Sequence, residues 1–322
     1  MPRSSFGLAH RNASVATRPP QFVTLDEVKW RGLVFLAAIG VVLMLALALC
    51  GARPLRVGTF NIRRFGVEPT DIDRLVELVE ALEVDILAVQ EIESEAALRH
   101  LERRLTHDGR SFSHVLSSCG GRSQMRVGFL FDSRRVVLRA SREYPELDPD
   151  GGGSCGDGDR AGLLGVFDHG NETLHLVTLH LAHGGQADKA AHRKLQWQRA
   201  YAIVDKLRRD GAKSIAVLGD ANSTGYLDDG HRERQFVDES ARSAGMEVVT
   251  RSLGCSEYWP ERRKQLSPSL LDHVVATPGL TNEADVRVHG YCVELACRPH
   301  ADEPPHDYTR VSDHCPVTFD VR

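Results

Sequence analysis

Five apolar runs in this sequence end on side chains that can bind a metal ion or a phosphate group, or that can transfer a proton. They are Thr59-Phe60-Asn61, Val89-Gln90-Glu91, Thr178-Leu179-His180, Leu218-Gly219-Asp220-Ala221-Asn222 and Leu271-Asp272-His273, and Ser312-Asp313-His314 closes the series. Strand ends project side chains into a common cleft in α/β folds, where ligands collect. Hard oxygen ligands suit Mg²⁺, and an Asp-His pair is suited to proton transfer. The series therefore indicates metal-assisted chemistry.

Each of these residues, taken alone, has a simpler explanation. Asp220 and Asn222 are typical turn formers, and a glutamate after a strand is more often a solvated turn residue. A lone Asp-His pair is more often a surface feature than a catalyst. Six such points in one chain are much harder to explain as turns, which favours a shared site.

The elements that would position these residues alternate between strands and helices. Apolar patterns predict strands at 55–62, 84–89, 127–131, 136–138, 163–167, 174–179, 215–218, 270–276, 286–289 and 317–321, and helices at 96–105, 188–209 and 232–244. Another helix is expected where Ile72, Leu75 and Val79 fall on one face. Strands 127–131 and 136–138 are predicted to pair around Asp132-Ser133. Paired strands among interleaved helices favour mixed sheets with outer helices.

The composition fits an ordinary globular protein and says little about substrate. The chain has 322 residues, of which 42% are hydrophobic and 26% charged, with a formal net charge of −4. A mildly acidic protein lacks the basic footprint typical of nucleic-acid binding, although a local basic groove remains compatible with it. Residues 55–322 contain no low-complexity linker, so we predict one domain there.

The N-terminus is predicted to direct the protein to or across a membrane. Residues 32–52 begin with nineteen uncharged, mainly apolar residues and follow Lys29 and Arg31, whereas residues 1–31 are polar and basic. The run is long enough to span a bilayer as an anchor, and it also resembles a signal peptide. Both alternatives place the domain outside the cytoplasm, either secreted or periplasmic, or held at the membrane.

Six cysteines lie beyond this segment, and an even set in an exported domain suggests disulfide bonds. Cys292 and Cys297 are close enough in sequence to form a small loop. Cys119 and Cys155 flank Gly-rich loops and are the next predicted pair. Cys315 is expected as a buried free thiol, and the alternative for the whole set is that all are reduced.

The ordered blocks VGTFNIRRFG, DILAVQEIES, LVTLHLAHG, AVLGDANS, SLLDHVVAT and VSDHCPV span residues 57–317. Together they resemble the endonuclease/exonuclease/phosphatase (DNase I-like) superfamily. The resemblance implies an α/β fold, namely a four-layer α/β/β/α sandwich with two mixed β-sheets. It also implies hydrolysis of phosphate esters, with Glu91 and Asn61 holding Mg²⁺ and Asp313 as a further carboxylate. Mn²⁺ or Ca²⁺ would also suit such ligands.

The resemblance assigns the catalytic residues as well. It makes His314 the catalytic histidine, oriented by Asp272. It also implies that Asp220 and Asn222 position the nucleophilic water and a phosphate oxygen. His180 stands near the leaving group, where a general acid contributes about 10²–10⁴-fold.

The sequence departs from the family pattern beside this second histidine. DNase I-like relatives support it with a glutamate, where this chain carries Gln124 and Met125. His180 is therefore expected to lack a carboxylate partner. Arg193 and Gln196 are interpreted as structural, and His183 and His273 as packing or hydrogen-bonding residues.

Three functions remain open at this stage. The first is an exported or membrane-anchored, Mg²⁺-dependent nuclease or phosphodiesterase, acting as a monomer on nucleic acid or another phosphodiester. The second is a sphingomyelinase-like lipid phosphodiesterase or an inositol-phosphate phosphatase, with membrane contact through an uncleaved segment 32–52. The third is a non-catalytic binding protein, which the intact set of polar residues disfavours.

Overall fold

The computed structural model describes residues 53–150, 158–223, 230–260 and 265–322. Residues from Pro54 to Arg322 form one compact unit. Both predicted N-terminal segments, 1–31 and 32–52, lie outside the described residues. Within the described ranges, no helix is long and apolar enough to cross a membrane.

Each predicted strand and helix has a counterpart in the structure, which also contains strands at 112–116, 247–248, 257–260 and 266–269 and short helices at 291–294 and 306–310 that the apolar patterns do not predict. The strands are β1 (Arg56–Phe65), β2 (Ile86–Ile92), β3 (Phe112–Leu116), β4 (Arg126–Asp132), β5 (Val137–Tyr144), β6 (Gly162–His169), β7 (Glu172–His180), β8 (Ser214–Asp220), β9 (Glu247–Val248), β10 (Glu257–Pro260), β11 (Leu266–Ser269), β12 (Asp272–Ala276), β13 (Val286–Val288) and β14 (Val317–Asp320). The helices are α1 (Ile72–Ala81), α2 (Glu95–Leu105), α3 (Ala187–Arg209), α4 (Gly230–Ser243), α5 (Tyr291–Glu294) and α6 (His306–Arg310).

Two six-stranded sheets form the centre of the fold. The first has the order β13-β14-β1-β2-β4-β3 and the second β5-β6-β7-β8-β12-β9, while β10 and β11 form a separate hairpin. Both sheets are mixed, because β1 and β2 run parallel in the first and β7 and β8 run parallel in the second. Their other pairings are antiparallel.

Three apolar layers hold the sheets and helices together. One lies between the two sheets, one under α1 and α2, and one under α3 and α4. Representative buried residues are Phe129 and Phe167 between the sheets, Leu75 and Leu101 under α1 and α2, and Trp197 and Val237 under α3 and α4. Helices therefore cover the outer face of each sheet, and the predicted four-layer α/β/β/α sandwich with two mixed β-sheets is confirmed.

The predicted pairing of 127–131 with 136–138 is wrong. β4 pairs with β2 and β3 in the first sheet, whereas β5 pairs with β6 in the second. Asp132 stabilises the turn between them, since its carboxylate accepts hydrogen bonds from the Arg134 and Ser111 amides at 3.1 Å each. The turn carries the chain from one sheet to the other, so a sequence pattern typical of a hairpin is a crossing between layers.

The predicted cysteine pairing at the C-terminal end is also wrong. Cys255 is bonded to Cys297 and Cys292 to Cys315, with Cα–Cα distances of 5.5 and 6.1 Å. Cys292 lies on α5 and is fully buried, whereas Cys297 follows the helix in a left-handed conformation with φ of 50°. The two side chains therefore reach different neighbours, and Cys315 is not a free thiol. Cys155, the predicted partner of Cys119, lies outside the described residues.

Candidate active site

Three predicted catalytic residues are neighbours across the second sheet. β8 lies between β7 and β12, and its Asp220 is in register with His180 of β7 and with Asp272 of β12. Residues directly opposite each other on adjacent strands present their side chains on the same face. Gly219, just before Asp220, has φ of 138°, and a Cβ there would lie 2.1 Å from the Leu179 carbonyl oxygen. Glycine is therefore required for this approach of the strands.

The first sheet supplies Asn61 and Glu91 from its parallel strands β1 and β2. The register between these strands shifts after Asn61, and Glu91 has a left-handed φ of 61°. Such irregularities redirect a side chain near an active site. The Glu91 carboxylate accepts hydrogen bonds from the Arg64 amide at 2.9 Å and from the Asn61 side chain at 3.1 Å, which fix it beside β1.

The two sheets are joined below the site by a buried polar contact. Gln90 donates from its amide nitrogen to Thr59 at 3.1 Å and to Thr178 at 3.0 Å. All three side chains are fully buried. Because buried polar groups are costly when unpaired, this contact fixes the separation of the sheets directly beneath the site.

His314 and Asp272 form the predicted pair. The Nδ1 atom of His314 lies 2.8 Å from Oδ2 of Asp272, and both residues are buried. Ser312 positions the histidine, because its hydroxyl donates to the Asn61 carbonyl at 2.7 Å and accepts from the His314 amide at 3.1 Å. Burial lowers the pKa of His314, but Asp272 and Asp220 outweigh it and raise that pKa well above its usual value. The free site therefore favours an imidazolium.

The Asn61 amide lies at the centre of these groups. Its nitrogen donates to Asp220 at 2.9 Å and to Glu91 at 3.1 Å, and it lies 3.5 Å from Nε2 of His314. Its oxygen is buried and has no hydrogen-bond partner among the described residues. An amide oxygen is a hard ligand for a cation, so this unsatisfied atom fits a metal ion or one of its waters.

Glu91, His180 and Asp220 form a group that could hold a metal ion. One ligand atom from each lies within 4.8 Å of the other two. Burial raises the pKa of Asp220 to about 7, and the negative charge of Asp272 adds to the effect. A cation between these carboxylates would offset that unfavourable charge. Asp313 lines the same cleft but does not belong to the group.

The expectation that His180 lacks a carboxylate partner holds for its Nδ1 atom but not for its Nε2 atom. Among the described residues, its buried Nδ1 atom has no hydrogen-bond partner. Its Nε2 atom instead faces two carboxylates, 3.2 Å from Asp220 and 3.8 Å from Glu91. Burial, with Arg160 as the next cause, holds the pKa of His180 well below its usual value. The ring is therefore neutral at physiological pH, which makes it a weak proton donor.

Asn222 closes the site beside Asp220. Its backbone amide donates to Oδ1 of Asp220 at 2.9 Å, and its side-chain nitrogen donates to the Leu181 carbonyl at 3.3 Å. Nδ1 of His183 lies 3.3 Å from the Asn222 side-chain oxygen. His183 thus makes the expected hydrogen bond but also lines the cleft. His273 is buried between Thr250 and Ser223, away from the cleft.

Arg193 and Gln196 support the loop after β7, as predicted. The Arg193 guanidinium donates to both oxygens of Glu233 at 2.7 and 3.1 Å, and to the carbonyls of Ala182 and Gly184. Gln196 accepts from the Ala182 amide at 2.9 Å. Both side chains are buried, so they stabilise the segment that carries His180 and His183.

The eight predicted site residues surround one open cleft of about 370 Å³ or lie directly beneath its wall. Arg160, Glu257 and Trp259 also line the cleft, and the sequence reasoning assigned none of them a role. Arg160 follows a Gly-rich loop, and the other two begin a hairpin in a region without a periodic pattern. Only their nearness in sequence to cysteines and glycines set them apart, and that signal does not indicate a site.

The sequence profile of the Endonuclease/Exonuclease/phosphatase family matches residues 58–314. The two facing mixed sheets and the cleft above their strand ends agree with this match, and membership of the family supports a phosphoesterase in general. The chain belongs to the Endonuclease/Exonuclease/phosphatase family. No curated protein sequence matches the chain with statistical significance.

Solved structures of the same fold resemble the chain at low sequence identity. An endonuclease/exonuclease/phosphatase from Bacteroides vulgatus is 16% identical with a TM-score of 0.60, over 84% of this chain and 99% of the other. D. rerio TDP2 in complex with single-strand DNA product is 14% identical with a TM-score of 0.57, over 84% and 100%. The mannosyl-6-phosphatase of Bacteroides thetaiotaomicron is 13% identical with a TM-score of 0.56, over 83% and 99%.

Proposed function

We propose that this protein is a Mg²⁺-dependent phosphodiesterase that cleaves nucleic acid outside the cytoplasm. The observation that carries the proposal is the position of the Asp272–His314 pair beside the metal-capable group of Glu91, His180 and Asp220. Oδ2 of Asp220 belongs to both, since it lies 3.7 Å from Nε2 of His314 and 3.2 Å from Nε2 of His180. One cleft therefore offers cation ligands and proton-transfer groups to the same phosphate.

The residues divide the reaction between them. A Mg²⁺ ion held by Glu91, Asn61 and Asp220 would neutralise charge on the phosphoryl oxygens. His314, kept as an imidazolium by Asp272, binds a phosphoryl oxygen as a cation. The Asp220 carboxylate orients the attacking water, whose proton passes to solvent while the leaving oxygen takes one up from solvent. Asn222 orients that carboxylate through its backbone amide.

His180 takes a different role from the general acid that the family resemblance implies. An imidazole whose Nδ1 atom has no carboxylate partner is not stabilised in its protonated form, so it is a poor general acid. We infer that it completes the cation site and keeps water out of the cleft wall. His180→Ala should therefore retain more activity than His314→Ala.

Two features at the cleft rim support a nucleic-acid substrate. Trp259 lines the cleft while 40% of its surface is exposed, and its ring centroid lies 5.5 Å from that of His183. An exposed ring beside a phosphate site can stack on a nucleobase, which contributes about 1–3 kcal/mol per base. Arg63 and Arg64 also line the cleft, where they are paired with Glu68 and Glu93, and backbone phosphates would compete for the same guanidinium groups.

Export is supported by the cysteine chemistry. The bonds Cys255–Cys297 and Cys292–Cys315 require an oxidising compartment, which the cytoplasm does not normally provide. Together with the apolar run at 32–52, they favour a secreted, periplasmic or membrane-anchored protein. Alkaline phosphatase fused after residue 322 should be active in cells and should lose its activity when residues 32–52 are deleted. An inactive fusion with the intact segment would overturn this location.

The substrate is tested by a panel assayed with Mg²⁺ and with chelator. Full-length protein should cleave single-stranded DNA faster than sphingomyelin or an inositol phosphate, and only with the metal. Sphingomyelin turnover without DNA cleavage would instead identify a lipid phosphodiesterase.

Trp259→Ala should raise KM for the oligonucleotide about 10-fold, since one stacked base is lost, and should leave bis-p-nitrophenyl phosphate hydrolysis unchanged. Equal effects on both substrates would argue against stacking.

A further inference from the structure

Glu257 is a buried acid on the cleft wall that the proposed reaction does not use. It is the first residue of β10 and is 3% exposed. Its segment runs beside the one that carries His314, because the Cys315 amide donates to the Ser256 carbonyl at 2.7 Å and the Tyr258 amide to the Asp313 carbonyl at 3.1 Å. The chain therefore places Glu257 directly opposite the catalytic histidine.

Two disulfides brace this arrangement. Cys255 lies two residues before Glu257 and is bonded to Cys297, while Cys315 directly follows His314 and is bonded to Cys292. Both half-cystines beside the site are fully buried. A side chain held by covalent links on each side of its contact is rigidly positioned, as groups that bind substrate must be.

The Glu257 carboxyl lacks the partners that a structural acid would have. Its Oε1 atom lies 4.0 Å from Nε2 of His314, and its buried Oε2 atom has no hydrogen-bond partner among the described residues. Leaving a buried polar atom unpaired costs about 1–3 kcal/mol, so the position is not explained by folding alone. The unpaired oxygen belongs to a side chain that lines the cleft, where substrate would lie.

Glu257 lies among several other ionisable groups. The ionisable groups that face it are His314 and Asp313 on the segment before β14, Asp220 on β8, Asp272 on β12, Tyr291 on α5 and Tyr308 on α6. Burial, with the three aspartates, outweighs His314 and raises the pKa of Glu257 to about 8. A phosphoryl oxygen bears negative charge, so it can contact this carboxyl only through the carboxyl proton.

We propose that Glu257 is a substrate-binding residue whose unpaired Oε2 atom, through the carboxyl proton, makes a hydrogen bond to the phosphoryl oxygen that His314 also contacts. The proposal rests on the proposed phosphoesterase function and adds a donor to its phosphate site. A neutral donor suits this wall, because a lysine or arginine would pair with Asp220 or Asp272 instead of with substrate. The proton stays on Glu257 throughout, so no proton transfer is required.

Two substitutions separate a donor from a merely space-filling residue. Glu257→Gln keeps the size and an N–H donor, whereas Glu257→Met keeps the length and has no donor. Binding of inorganic phosphate to the full-length protein with Mg²⁺ is measured by calorimetry, with Glu294→Met, an exposed acid on α5, as the matched control. Losing one hydrogen bond to an anion should weaken phosphate binding about 10-fold or more in Glu257→Met. Glu257→Gln and Glu294→Met should remain within about 3-fold of the wild type.

The possible results test the donor role of Glu257 separately from the proposed nuclease activity. Phosphate binding that is equally weak in Glu257→Gln and Glu257→Met would overturn the donor role, as would unchanged binding in both. Reduced Mg²⁺ affinity in Glu257→Gln would mean that the residue is a metal ligand and would also overturn it. A wild-type protein that binds phosphate but does not cleave DNA would leave the Glu257 result valid and refute only the nuclease. A wild type that binds no phosphate at millimolar concentration would overturn both.

Discussion

Replacing Asp272 with asparagine should nearly abolish turnover while leaving the fold intact. Asp272 is fully buried, its Oδ2 atom lies 2.8 Å from Nδ1 of His314, and its Oδ1 atom has no hydrogen-bond partner among the described residues. Its charge is therefore directed mainly at His314. Asparagine fills the same space but cannot stabilise an imidazolium, and the equivalent change in Ser-His-Asp triads lowers kcat about 10⁴-fold. That factor corresponds to about 5.5 kcal/mol of transition-state stabilisation.

The assay is the pH dependence of kcat for a single-stranded oligonucleotide with Mg²⁺, from about pH 5 to 9. Asp272 raises the pKa of His314, so the variant has a lower pKa and loses its imidazolium at a lower pH. Residual activity should therefore be confined to the acidic side of the wild-type profile. Asp302→Asn, which changes an exposed acid, is the matched control. A variant that keeps more than a tenth of wild-type kcat, or whose alkaline limb does not move, would refute the role assigned to the pair.

Three further predictions concern stability. Arg193→Met leaves Glu233 buried without its bidentate partner and should lower the free energy of unfolding by about 3–5 kcal/mol, measured by urea denaturation; a loss below about 1 kcal/mol would contradict the structural role. Glu257→Gln should stabilise the protein increasingly as pH rises, because the folded pKa of about 8 exceeds the ordinary 4.5. The wild type then loses up to about 1.4 kcal/mol per pH unit across that window, and a pH-independent difference in Tm would exclude a raised pKa. Replacing Cys255 and Cys297 together with serine should cost about 2–4 kcal/mol, and unchanged thermal unfolding would argue against that bond.

Much of the site could be predicted from the sequence because its residues follow directly from strand ends. His180, Asp220 and Asp272 each end or begin a strand, and the sheet register alone brings them together. The absence of a carboxylate at Nδ1 of His180 could also be predicted, since it depends on one position of the sequence. Such features depend on residues that are close in sequence, so the positions of the apolar runs are enough to predict them.

The errors and omissions depend on contacts between distant parts of the chain. Strands 127–131 and 136–138 have the pattern of a hairpin, but nothing in that pattern shows that the chain changes sheets at Asp132. The disulfide pairs follow from the direction in which α5 points its cysteines. Arg160 enters the cleft from an irregular segment and Glu257 from a short hairpin, and in both segments period and propensity carry no information about tertiary position.

The central claim is that a metal ion bound at Glu91 supports hydrolysis of a phosphodiester. The most direct test is the cleavage rate of a single-stranded oligonucleotide by the full-length protein as Mg²⁺ is titrated, compared with Glu91→Gln. Wild-type activity should rise to saturation and vanish in chelator, and Glu91→Gln should need about 10-fold or more Mg²⁺, because metal sites lose affinity steeply when a ligand or its support is altered. Cleavage that persists in chelator, or identical Mg²⁺ curves for the two proteins, would contradict the account.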